Sequence, residues 1–281
     1  MGRTRWIEWY ASEEGKADLA ERLAVREARE KEFDLNKRAS IELGKLYATL
    51  NETEMTAAQK ALAKKIDLTN RFTVSNFNAI AGVNLTCGKD RNGNELASCC
   101  IVVMDIRTRE IIDTASASSS FTVPYIPGFL SFRGIPAILA AYEYLWCKPD
   151  LLMLGGNGYL HHLHMGLATH AAIELNTPSI GVAENYLKID NVDYVMPKNE
   201  VGAYTDISIR EEVYGRVLRT RCNVKPIFIS CGNWIDLDTA TEISLSMITP
   251  ESRLPLPTRK AGINARALRR LILEREKNSE N

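Results

Sequence analysis

From residue 79 onward the chain alternates between two hydrophobic rhythms. Ala79–Leu85, Ser98–Asp105 and Glu110–Ser116 are short β-prone runs, and Ile106–Arg109 reads as the hairpin turn between the last two. Gly134–Cys147 carries its apolar residues at helical spacing and is ended by Lys148-Pro149. Asp150–Leu154 is a short apolar strand that runs into Gly155-Gly-Asn-Gly158, with a helix predicted from there to about Leu175. Ser179–Ala183 is a second buried strand, Arg216–Arg219 and Pro226–Ser230 are further strands, and Thr239–Met247 and Asn264–Leu273 are predicted helices. Three antiparallel strands followed by helices alternating with parallel strands describe a mixed α/β sheet flanked by helices.

Residues 1–72 have a helical texture. Between Lys16 and Lys31 acids and bases alternate around a thin stripe of Leu19, Ala20 and Leu23, which fits either a solvated helical face or a partner-binding arm. Ile41, Leu46 and Leu50, with Leu43 and Tyr47, recur at helical spacing, and Thr56-Ala-Ala-Gln59 predicts a capping-box start for a helix through Ala61, Leu62 and Ile66. The expected division is a helical extension over 1–56 and an α/β domain over 57–281.

Composition narrows the classes. The 281 residues hold 35 Lys+Arg and 35 Asp+Glu, so a globally basic nucleic-acid coat is excluded while a local basic patch is not. One such patch is Arg253, Arg259, Lys260, Arg266, Arg269 and Arg270. Of these, Arg266, Arg269 and Arg270 share a helical face that can track a phosphate backbone or simply complement a helix C-terminus. No apolar run approaches the ~18 residues of a membrane span, and the charged N-terminus lacks a signal-peptide core, so no membrane partner is expected. Cys87, Cys99, Cys100, Cys147, Cys222 and Cys231 form no Cys-x-x-Cys pair and read as reduced thiols of a cytoplasmic protein. His161, His162, His164 and His170 cluster, and His161 and His164 would share a face if helical. No Cys or carboxylate of suitable spacing joins them, which favours packing or phosphate contact over zinc.

The stretch Pro124-Tyr-Ile-Pro-Gly-Phe-Leu-Ser-Phe-Arg133 closely resembles the wedge motif of the endonuclease V family, nucleases that cut near inosine. Other blocks follow in the family's order: Ala61–Phe72, Ala81-Gly-Val-Asn84, Pro149–Gly158, Gly166-Leu-Ala-Thr-His170, Pro178–Ala183, Ile229-Ser-Cys-Gly-Asn233 and Arg253–Arg259. The resemblance covers roughly residues 57–262 and implies a ribonuclease H-like α/β fold. It further implies that the wedge separates strands and that a deaminated base enters a pocket beside the glycine loop. On that basis Pro124, Tyr125, Ile126, Pro127, Arg133, Gly156, Gly158 and His161 are the expected nucleic-acid-binding residues. Tyr125 would stack on a base, and the N–H groups of Gly156 and Gly158 would face an anion.

Phosphodiester hydrolysis on this fold uses Mg²⁺ held by carboxylates. The resemblance implies acids or a histidine at four positions that here read Asn84, Gly134, Gly155 and Asn233. The family's lysine after Gly-Val-Ala is Glu184, and Trp234, beside the lost histidine, is expected to fill the vacated site. Asp105 and Asp150 sit too far away to substitute. The expectation is therefore a catalytically degenerate homologue with no Mg²⁺ cofactor, not an enzyme, that binds RNA or single-stranded DNA without cutting. Two alternatives are a scaffold subunit docked through residues 1–56 to a protein partner, and an active metal-dependent nuclease using substitute residues. A continuous positive cleft on the wedge side would favour binding; a cleft plugged by Trp234 would favour the scaffold.

Overall fold

The computed structural model of the chain describes residues 40–72, 77–90, 93, 95–120 and 126–278. Eight strands, β1 Ala79–Lys89, β2 Glu95–Asp105, β3 Ile111–Ser120, β4 Leu151–Gly155, β5 Ser179–Ala183, β6 Tyr204–Ile209, β7 Glu212–Leu218 and β8 Ile227–Asn233, form one sheet in the order β3-β2-β1-β4-β5-β8-β7-β6. β1, β4 and β5 run parallel, and the remaining pairings are antiparallel. The mixed sheet expected from the sequence is thus present.

The central strands are buried on both faces, which is why β2 and β4 read as continuous apolar runs rather than alternating ones. On one face Ala79, Ala81 and Val83 of β1 meet helices α1 over 40–49, α2 Glu52–Ala63, α3 Leu130–Glu143 and α4 Leu167–Leu175. Tyr47 and Met55 are part of that core, so the expected boundary at residue 56 falls inside a helix that already packs on the sheet. On the other face Ile80, Met153, Ile180 and Ile229 meet α5 Leu237–Ser246 and α6 Leu256–Asn278. A third cluster joins Leu160, Ile207, Val217 and Phe228 beneath the β6–β7 edge. The part of residues 1–72 expected to be helical before residue 40 lies outside the described residues.

Several elements differ from their expected bounds for local reasons. The capping box is Asn51 with Glu54 rather than Thr56 with Gln59: Asn51 Oδ1 accepts from Glu54 N at 3.0 Å and Glu54 Oε2 from Asn51 N at 2.8 Å. α3 starts at Leu130, four residues early, and carries Pro136 in its interior rather than in its first turn. α6 starts at Leu256, because a proline at its second residue is compatible with a first turn whose N–H groups need no helical partner. No helix follows the glycine loop directly; residues 156–166 are irregular and α4 begins at Leu167. β6 was not expected at all.

Candidate functional site

Three chain segments meet midway along β1, at the carboxyl end of β4. The parallel register of β1 and β4 ends at Val83 opposite Leu154, which sets Asn84 beside Gly155. A Cβ on Gly155 would lie 2.3 Å from Asn84 Nδ2, and one on Gly262 of α6 would lie 3.3 Å from the same atom. Arg266, one turn further along α6, folds back toward the helix N-terminus and brings Nη1 to 3.5 Å from that Gly262 position. The resulting open cleft of about 400 Å³ is bordered by Asn84, Thr86, Gly155, Glu184, Thr258 and Arg266. Glu184, its one carboxylate, is paired with Arg253 at 3.1 Å. Sequence reading did not find Gly262; a glycine inside a helix, where it costs about 1 kcal/mol relative to alanine, is the signal that could have pointed to it.

The other two implied positions do not join them. Gly134 lies on the far face of β1, where Leu85 Cδ1 occupies the place of its missing side chain, 2.2 Å from an ideal Cβ. Asn233 is fully buried at the other end of the sheet: it pairs with Ser179, whereas Gly155 pairs with Val182, three residues or roughly 10 Å along β5. Its Oδ1 accepts from Asp67 N at 2.7 Å and its Nδ2 donates to Lys65 O at 3.3 Å, so its amide ties down the loop after α2. Trp234 does not fill the cleft. It sits beyond Asn233 with the Arg71 guanidinium 3.5 Å over its ring. Asp105 and Asp150 accept backbone N–H bonds at the opposite end of β1.

A divalent magnesium or calcium ion takes six or more oxygens, with carboxylates supplying the charge. At the convergence the donor set is one amide, two glycines and a guanidinium, and the described residues hold no group of three or more His, Cys, Asp or Glu that could hold a metal. These residues do not fit such a cation.

Around the wedge the geometry is mixed. Pro124 and Tyr125 lie outside the described residues; Ile126 packs against the core and Pro127 is exposed. Gly128, at φ +88° where a side chain would be strained, turns the chain into α3, and its carbonyl accepts from Gln59 Nε2 at 3.0 Å and from His161 Nε2 at 2.9 Å. Leu163 N donates to His161 Nδ1 at 3.3 Å, which fixes the tautomer with the proton on Nε2. Burial pushes His161 down to about 4, so it is neutral near pH 7. His161 therefore clamps the base of the wedge from the glycine loop and is not on a helix with His164. His164 stacks on Tyr159 at 4.0 Å between ring centroids, and buried His170 meets Tyr47 Oη at 3.0 Å.

The glycine loop does not offer the expected anion donors. Gly156 N–H is occupied by Leu154 O at 2.9 Å and Val182 O at 3.0 Å, and Gly158 N–H by Ser230 Oγ at 2.9 Å. A Cβ on Gly158 would meet Cys231 O at 2.1 Å, so the close backbone approach it permits is to its own sheet. Arg133 is buried and pairs through Nη2 with Glu95 at 2.7 Å, at the tip of the β1–β2 hairpin. The Arg269 guanidinium lies on Gly88 of β1, and its buried Nε has no partner among the described residues. Arg133 and Arg269 thus lie on opposite faces of the outer half of β1, Arg133 paired with Glu95, while Arg266 borders the cleft.

This sheet order, with helices on both faces and a cleft at the carboxyl end of β4, is a ribonuclease H-like fold. The family model for Endonuclease V matches residues 60–263, and the chain belongs to the endonuclease V family. It is 49% identical over 221 residues to endonuclease V of Bacillus thuringiensis, covering 79% of this chain and 94% of that protein. It is 46% identical over 226 residues to endonuclease V of Bacillus subtilis, covering 78% and 94%. The crystal structure of the Bacillus subtilis protein superposes with a TM-score of 0.78 at 45% identity, over 82% of this chain and 96% of that one. The fold is also that of Ciona intestinalis endonuclease V, solved in complex with a 24mer DNA containing an inosine followed by a ribo-adenosine (TM-score 0.65, 24% identity, 78% and 98% covered).

These relatives correct one expectation. The chain was expected not to be an enzyme, yet proteins 46–49% identical to it over most of its length are named for an enzyme activity. The changes at Asn84, Gly134, Gly155 and Asn233 are changes of side chain, and changes of side chain alone do not show loss of activity. Among the described residues no helix is long and apolar enough to cross a membrane.

Proposed function

We propose that this endonuclease V-family protein binds single-stranded nucleic acid, including inosine-containing strands, across the cleft at the carboxyl end of β4, and that it does so without a divalent cation at Asn84 and Gly155. The observation that carries this reading is Arg266 on the wall of an open cleft whose one carboxylate, Glu184, is paired with Arg253, in a chain whose formal net charge is zero. An exposed guanidinium facing an open cleft in a neutral molecule gives a local field suited to a phosphate backbone. Further support comes from the clamped wedge base, from the cleft being open rather than plugged by Trp234, and from the Ciona relative of the same fold, which was solved with DNA. A scaffold docked through residues 1–56 is less favoured, because Tyr47 and Met55 already pack into the chain's own core.

Fluorescence anisotropy with labelled 20-mer DNA and RNA strands, with and without inosine, tests this. Affinity is expected to fall steeply between 50 and 200 mM salt and to be unchanged by EDTA. No binding at 50 mM salt would reject nucleic acid as the ligand. Scission of the same strands that requires Mg²⁺ or Mn²⁺ would reject the cation-free cleft.

A further inference from the structure

In the irregular segment after the glycine loop, three aromatic rings and one acid form a cluster outside the cleft. Tyr159 and His164 stack at 4.0 Å between ring centroids, and the Tyr214 ring lies 4.6 Å from that of His164. Tyr214 shares a face of β7 with Glu212, two residues before it. The Glu212 carboxylate reaches both loop residues: one oxygen accepts from Tyr159 Oη, and the other lies 3.8 Å from His164 Nε2. A tight hairpin sets its place. Ile209 pairs with Glu212, and the two residues between them, Arg210 at φ 51° and Glu211 at φ 69°, are left-handed, as the common two-residue hairpin turn requires. Asp190 holds Arg210 at 2.9 Å, which braces the hairpin tip.

Glu212 acts on a compact turn. His161 N donates to Tyr159 O at 2.7 Å and His164 N to His161 O at 3.0 Å, while His164 Nδ1 lies 3.3 Å from Tyr159 O. His164 itself is at φ 56°, a conformation that a residue with a side chain keeps only when its surroundings impose it. The same turn carries the buried His161 ring to Gly128 O at 2.9 Å. A chain of contacts therefore runs from β7 through the loop to the base of the wedge.

We infer that Glu212 is a positioning residue: by fixing Tyr159 and His164 it sets the 159–164 turn, and through that turn the seat of His161 on the wedge base. Glu212 does not border the cleft, and the assignment rests on the proposed function only for its effect on strand binding.

The test compares Glu212→Ala, which removes the acceptor, with Glu212→Gln, whose amide oxygen can still accept from Tyr159. The chain has four histidines, and NMR follows the His161 ring, identified by its loss in His161→Gln, between pH 7.5 and 5.5. In the parent and in Glu212→Gln the resonance is expected to stay fixed, because burial keeps the ring neutral. In Glu212→Ala the loosened turn lets water reach it, and it is expected to titrate with a midpoint above about pH 5. The second arm measures binding of a labelled 12-nucleotide strand in EDTA at 0.1 M salt. Glu212→Ala is expected to bind about fivefold more weakly, and Glu212→Gln no more weakly than the parent. Both variants remove one negative charge, which by itself favours a polyanion, so weakening confined to Glu212→Ala reports position rather than charge. A His161 ring that stays neutral in Glu212→Ala overturns the assignment. So does one that titrates equally in both variants, since the bond from Tyr159 would then not be the link. If it titrates in Glu212→Ala alone, the assignment stands. Equal strand binding by all three proteins would then remove the clamped wedge from the proposed function, and no binding by any of them would reject that function.

Discussion

A single buried histidine sets a pH dependence that can be read from its contacts. His161 titrates near 4 when folded and near 6.5 when unfolded, because burial opposes its charged form. Between those values the unfolded chain holds the extra proton. The stability tied to neutral His161 is therefore whole above about pH 6.5 and is lost as pH falls toward 4. Between pH 7 and 5 the loss is on the order of 2 kcal/mol. Urea unfolding at the two pH values measures it, and His161→Gln is expected to remove most of the difference. An unchanged difference in the variant would mean that other groups carry it. Leu85 makes a second residue-scale case. Its Cδ1 fills the place of a side chain at Gly134, so Gly134→Glu is expected to be costlier with Leu85 than with Leu85→Val. A double-mutant cycle in urea should show the pair coupled by about 1 kcal/mol.

At the scale of elements, the wedge base is fixed by two others at once: α2 through Gln59 and the glycine loop through His161, both donating to Gly128 O. Either donor alone satisfies that carbonyl. Gln59→Ala and His161→Ala together are therefore expected to cost about 1 kcal/mol more than the sum of the singles. Additive values would show that the two bonds act separately. The same contacts explain which elements the sequence discloses. Ser179–Ala183 is observed with its expected bounds, since a short apolar run between Pro178 and Glu184 admits one assignment. β6 escapes because it is an edge strand with only Ile207 and Ile209 buried, a pattern that also fits an irregular polar segment. The helix expected around His161 fails because that ring bonds to a residue 33 positions away, and local spacing carries no trace of such a contact. Asn84 and Gly155, two of the four positions the resemblance implies, are brought side by side by the register of β1 with β4. Gly262 and Arg266 reach them only through the packing of α6 on β1, and Asn233 is separated from them only by the register of β5 with β8.

At the scale of the whole molecule, equal numbers of acids and bases leave function to depend on where each is placed. Acids at the opposite end of β1 cap backbone, Glu184 is held by Arg253, and the cleft is left to Arg266. Returning carboxylates to the cleft should reverse its preference for ions. In a variant carrying Asn84→Asp and Gly155→Asp, two acids face the Arg266 guanidinium where one amide did. Two consequences follow from the same charges. Strand binding in EDTA should weaken, because the acids engage Arg266 and repel phosphate. Mn²⁺ should now bind, because two carboxylates supply the charged oxygen donors that an amide and a glycine lack. A ligand at 100 times its dissociation constant adds about 2.7 kcal/mol to stability, so the unfolding midpoint of the variant should rise by roughly 5–10 °C in Mn²⁺. The parent should move by less than about 1 °C, since exposed surface acids bind the ion too weakly to stabilise the fold. An equal rise in the parent would place a cation among residues that offer it no carboxylate, and would remove the electrostatic basis for binding without metal.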